Sequence, residues 1–154
     1  MYMTLYVDID IHSPLFLFKL SQENSAKIAD VGISKPVIDI TGTLTGTPVY
    51  IAPEVFHSEV YDCKADIYSL GIILWEMWYG KQAFDNVSVK TLEAFFAHVD
   101  GGSRPQHVSG CEQPPFRWQQ LMNTCWNGNP EKRPTAKECL KEATELLVEV
   151  VKPL

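Results

Sequence analysis

The chain contains no cluster or stripe of lysine and arginine. Its 13 basic residues are scattered among 19 acidic ones, the net charge is -6, and no arginine occurs before Arg104. Attraction to nucleic-acid phosphates or to an anionic membrane surface depends on such clusters, so neither is expected as a partner. No Cys-x-x-Cys pair is present; Cys63, Cys111, Cys125 and Cys139 are widely spaced. With no secretory leader ahead of them, they are expected to be reduced and mostly buried thiols. A zinc site would have to draw on His57, Cys63, His107 and Cys111, whose spacings fit none of the usual ligand patterns, so core packing is the better reading. Long apolar runs are missing too. Residues 15–18 are too few for a signal core, and the longest apolar stretch, 67–79, is too short to cross a bilayer. No membrane span is expected, and the setting is read as cytoplasmic.

What is present is ordinary globular composition: 154 residues, 45% hydrophobic and 21% charged, enough for one domain with a sizeable core. Residues 1–20, with Asp8, Asp10 and His12 in poor alternation, differ in texture from the rest and are set apart as a leader; the domain is assigned to 21–152. An apolar run over 15–20, a polar turn over 21–25 and a second run over 26–29 predict a short β-hairpin. Pro36, Gly42 and Gly46 among several threonines suit an exposed loop. Residues 67–79 are apolar on nearly every face, with Glu76 their only charge, which predicts a helix enclosed by protein. Shorter amphipathic helices are expected over 91–99 and 115–126. In the last helix, Thr135 and Glu138 have capping-box spacing, and Cys139, Leu140, Ala143, Leu146, Leu147, Val150 and Val151 form one apolar stripe that Pro153 ends.

Two signatures carry chemistry. Asp30-Val31-Gly32 follows the predicted hairpin, and Gly46-Thr47-Pro48-Val49-Tyr50-Ile51-Ala52-Pro53-Glu54 closes a segment of 25 residues counted from Asp30. Asp-x-Gly alone is most often a turn; its weight comes from the strand before it and the Ala-Pro-Glu after it. Asp66-Ile67-Tyr68-Ser69-Leu70-Gly71 and Cys125-Trp126-Asn127-Gly128-Asn129-Pro130-Glu131-Lys132-Arg133-Pro134 follow in order. In this combination and order the motifs resemble those of the protein kinase family, over about residues 25–151. The resemblance implies an α+β fold: the mainly α-helical C-terminal lobe, preceded by a short β-hairpin and an activation segment at 30–54. The Gly-Thr-Pro stretch looks like serine/threonine kinases, and the Cys-Trp stretch looks like the tyrosine-kinase-like group.

The same resemblance implies roles residue by residue. Asp30 matches the aspartate that holds Mg²⁺ against the phosphates of ATP; Val31 stands where the family usually has Phe, which loosens a packing contact without removing the carboxylate. Thr41, Thr43 and Thr45 match the loop where kinases are phosphorylated, and Thr47 matches the residue beside the acceptor hydroxyl, so a protein substrate or protein partner is implied. Glu54 and Arg133 match a buried ion pair with a structural role. Asp66 matches an aspartate that accepts hydrogen bonds from the catalytic loop; read without the family, it is a carboxylate favoured by the N-terminus of a helix.

Other kinase parts have no counterpart upstream. Gly32 is the first glycine, no arginine precedes Asp30, and Asn24 is the only asparagine before it, so the glycine-rich loop, the ATP-pairing lysine and the His-Arg-Asp loop with its general base are not found. The chain is therefore expected to be part of a kinase domain, inactive alone, with the upstream half missing from the transcript or gene model. The alternative is a non-catalytic, pseudokinase-like interaction module.

Overall fold

The computed structural model describes residues 17–20, 26–29, 48–88 and 91–150. Strands β1 (Leu17–Leu20) and β2 (Ala26–Ala29) pair antiparallel, with Leu17 opposite Ala29 and Leu20 opposite Ala26. The described residues from 48 on are mainly helical: a 3₁₀ turn (Pro48–Tyr50), α1 (Pro53–Phe56), α2 (Lys64–Tyr79), α3 (Leu92–Asp100), α4 (Phe116–Cys125) and α5 (Ala136–Val150).

Helix α2 is the centre. It begins one turn before the apolar run suggests, because the Lys64 backbone N–H donates to Asp62 Oδ1 at 2.8 Å, satisfying an end group that helices otherwise leave open. It ends at Gly80, whose φ of +59° is the left-handed cap and whose N–H donates to Glu76 O. Tyr68, Ile72 and Trp75 are buried on it. The enclosure expected for the whole run gives out in the last turn, where Met77 is exposed.

Gly71 sets how closely α2 meets the end of α4. A Cβ there would lie 2.9 Å from the Trp126 backbone nitrogen and 3.0 Å from Cys125 Cβ, closer than side chains pack. Helix α3 is capped by Thr91, whose Oγ1 accepts from Ala94 N–H at 3.2 Å, and it buries Phe95, Phe96 and Val99. Phe96 stacks on Phe56 with ring centroids 3.8 Å apart, joining α3 to α1.

Helix α5 begins with a reciprocal box: Glu138 N–H donates to Thr135 Oγ1 at 3.2 Å, and Thr135 N–H donates to Glu138 Oε2 at 2.7 Å. The Thr135 N–H bond, and then a bond from Thr135 Oγ1 to Glu138 Oε2 at 2.8 Å, hold the Glu138 carboxyl below its ordinary value. The single apolar stripe expected on α5 is not found. Cys139 and Leu146 are buried, but Leu140 and Leu147, one position further on, are exposed, because α5 turns only a narrow face toward α4. Val151 and Pro153 lie outside the described residues. The thiols also divide. Cys125 and Cys139 are buried, with Sγ atoms 3.7 Å apart and both thiols pushed up by burial, whereas Cys63 and Cys111 are exposed on loops. Four cysteines spread over loops and helix ends do not share one burial.

Replacing Gly71 by Ala is expected to destabilise the protein by about 1–3 kcal/mol through overpacking against backbone. Gly128→Ala, where a Cβ meets only the Arg104 side chain at 3.7 Å, is expected to be nearly neutral. Urea unfolding of the two variants measures the contrast.

Candidate functional site

The last residues of the 30–54 segment meet the helices through three linked sets of contacts. The first is an ion pair. Arg133, at the end of a 3₁₀ turn (Pro130–Lys132) that precedes α5, donates from Nη1 to Glu54 Oε1 at 2.6 Å and from Nη2 to Glu54 Oε2 at 2.8 Å. Glu54 is 6% exposed and the Arg133 side chain 0%. Charges removed from water to this degree persist only when their remaining hydrogen-bonding capacity is met. Arg133 meets it with Nε donating to Asn127 O at 2.7 Å and Nη1 to Lys64 O at 3.0 Å. Lys64 Nζ in turn donates to Arg133 O.

The second set involves Tyr68, which is 1% exposed and has two guanidinium groups over its ring: Arg133 at 5.2 Å from the ring centroid and Arg104 at 5.4 Å. Both distances are within cation–π range. Burial is the main cause that raises the Tyr68 phenol above its ordinary value, and the two arginines pull against it.

The third set holds Tyr50. Its Oη donates to Glu76 Oε2 at 2.7 Å, its carbonyl accepts from Ser69 Oγ at 2.7 Å, and Glu76 Oε1 accepts from Ala83 N–H at 2.8 Å. Burial, and then the Glu76 carboxylate, push the Tyr50 phenol far above its ordinary 10.0. Motif reading did not predict these partners, although a signal existed: a lone carboxylate in an apolar helix needs donors.

Of the residues singled out in the sequence, Glu54 and Arg133 are brought together. Asp66 sits apart from them in the first turn of α2; it is exposed at its surface, is raised above the ordinary carboxylate value by partial desolvation, and has no hydrogen bond among the described residues. Asp30, Val31, Thr41, Thr43, Thr45 and Thr47 lie outside the described residues. Among the described residues no three His, Cys, Asp or Glu side chains gather as a metal site, and no helix is long and apolar enough to cross a membrane.

Residues 7–143 match the family described as the protein kinase domain. The chain belongs to that family, and its described helices are those of a mainly helical C-terminal lobe. It is 36% identical over 134 residues to the dual serine/threonine and tyrosine protein kinase of Pimephales promelas, covering 84% of this chain and 14% of that protein. It is 34% identical over 134 residues to the protein of that name from Danio rerio, with the same coverage of 84% and 14%. To the Homo sapiens protein of that name it is 35% identical over 119 residues, 75% of this chain and 12% of the other. The chain thus spans only a small part of the relatives it matches.

A raised phenol pKa stabilises the fold fully below the unfolded-state value and loses that stabilisation as pH climbs through the higher folded value. Stability is therefore expected to fall above about pH 10 as the unfolded Tyr50 ionises first. Tyr50→Phe leaves Glu76 Oε2 without its donor, so it is expected to cost about 1–3 kcal/mol at neutral pH and to make the alkaline fall shallower. Denaturant titrations at a series of pH values read both effects.

Proposed function

We propose that residues 21–152 are the carboxyl-terminal part of a protein kinase domain, with 30–54 as its activation segment and β1–β2 as the hairpin leading into it. The complete domain transfers the γ-phosphate of ATP to protein serine or threonine, and to tyrosine if it shares what its relatives' names state. The observation that carries this reading is the Glu54–Arg133 pair, which closes the Ala-Pro-Glu end of the segment onto the helices at 2.6 and 2.8 Å. A protein substrate is the expected partner, and an intracellular, cytoplasmic setting is consistent with exposed free thiols at Cys63 and Cys111.

Protein kinases work with ATP and Mg²⁺. Asp30 is the proposed Mg²⁺ ligand. The described helices offer no converging carboxylates to complete such a site, and the glycine-rich loop, paired lysine and general base have no counterpart in residues 1–29. No step of phosphoryl transfer is therefore assigned to this chain alone. Thr41, Thr43 and Thr45 are proposed phosphorylation positions, Thr47 is proposed to line the acceptor site, and Asp66 is proposed to receive the catalytic loop of a complete domain. The second reading is a non-catalytic, pseudokinase-like interaction module.

The purified chain is expected to show no Mg-ATP-dependent phosphorylation of itself or of a generic protein substrate, since loss of a general base alone costs about 10²–10⁴ in rate. Residues 21–152 grafted in place of the corresponding part of the Danio rerio kinase are expected to give an active chimera that Asp30→Ala silences. A folded but inactive chimera would favour the interaction module.

A further inference from the structure

We propose that the cleft between α3 and the turn after α4 receives a carboxylate side chain, aspartate or glutamate, from a protein partner. This goes beyond the kinase reading and does not depend on it. The cleft has a volume of about 460 Å³ and lies beside the Ala-Pro-Glu end of the segment, with Pro53, Val99 and Trp126 as its apolar wall. Its polar lining is rich in donors. Arg104 donates from Nε to Trp126 O at 2.9 Å and from Nη1 to Val99 O at 3.0 Å and Ser103 O at 2.7 Å. Those bonds fix the guanidinium plane and leave Nη2 without an acceptor among the described residues. Asn127 is held in the same way: its Oδ1 accepts from Asn129 N–H at 2.9 Å, which leaves its side-chain N–H groups free. Asn123 lines the same cleft from the exposed side of α4 and has no hydrogen bond among the described residues.

Gly128 keeps this array open. A Cβ there would stand 3.7 Å from Arg104 Nη2, so any larger side chain would cover the free edge of the guanidinium. One oriented cation with neighbouring amide donors suits a planar oxyanion. The charge balance favours a single negative charge over a phosphate dianion, because Asp100 is also on the rim, where its Oδ2 faces His57 Nε2 at 2.8 Å. The rim at Gly102, Asn123 and Gly128 is exposed, which suits a side chain projecting from another protein better than an enclosed small molecule. An apolar stem on the ligand would lie along Pro53 and Trp126.

The test is a titration of the isotope-labelled chain with capped Leu-Glu-Leu and Leu-Gln-Leu peptides and with benzoate, followed by NMR. The glutamate peptide is expected to shift the amides of Gly102, Asn123, Asn127 and Gly128 with a Kd of about 1 mM, and the glutamine peptide to bind about tenfold more weakly or not at all. Asn123→Asp, an exposed substitution, is expected to weaken glutamate-peptide binding about tenfold. Gly128→Leu is expected to abolish it, with thermal melts verifying that each variant is folded. Equal binding of both peptides, shifts confined to other residues, or no response to the Asn123 change overturns the proposal. Benzoate binding at these residues with no response to the glutamate peptide overturns the protein partner in favour of a small acid.

Discussion

The buried pair of Glu54 and Arg133 is the interaction on which the arrangement of this lobe depends. Its partners are 79 residues apart in the chain, so it closes a long loop and fixes the Ala-Pro-Glu stretch at the start of α1 against the entry to α5. Taking two charges out of water is costly, and the attraction between them does not by itself ensure net stabilisation. The surrounding bonds decide the balance. Asn127 O and Lys64 O take two more of the guanidinium protons, and Lys64, the first residue of α2, closes the circuit by donating to Arg133 O. One residue thereby joins three separate elements.

Around that pair, α2 works as a common wall. Gly71 lets α4 approach it, Ser69 and Glu76 hold Tyr50, and Tyr68 has Arg133 and Arg104 over its ring. Tyr50 and Glu54, four residues apart, are therefore fixed independently, the first by Ser69 and Glu76 of α2 and the second by Arg133. A loop residue between two such anchors loses most of its backbone freedom. The Phe56–Phe96 stack and the His57–Asp100 bridge extend the same restraint to α3.

Much of this was legible because motifs carry their own spacing. The Ala-Pro-Glu glutamate and the arginine after Asn-Pro-Glu-Lys named the ion pair before any coordinates, and the unbroken apolar run named α2. The capping box at Thr135 was readable because its two partners are three residues apart. The rest depended on distant partners. Nothing near Tyr68 in sequence signals Arg104, 36 positions on, and periodicity along α5 does not reveal how narrow a face it turns toward α4. Leu140 and Leu147 therefore continue the apolar pattern without sharing its burial, and no local pattern separates the exposed cysteines from the buried pair. The assigned roles of Asp30 and the four threonines rest on sequence alone.

The most direct test of the central claim is a double-mutant cycle between Glu54→Gln and Arg133→Met, read by urea unfolding. If the pair holds the lobe together as described, each single change costs about 3–5 kcal/mol because it leaves the other group buried and unpaired, and the double variant costs no more than the worse single. Strictly additive losses, or singles near zero, would contradict it.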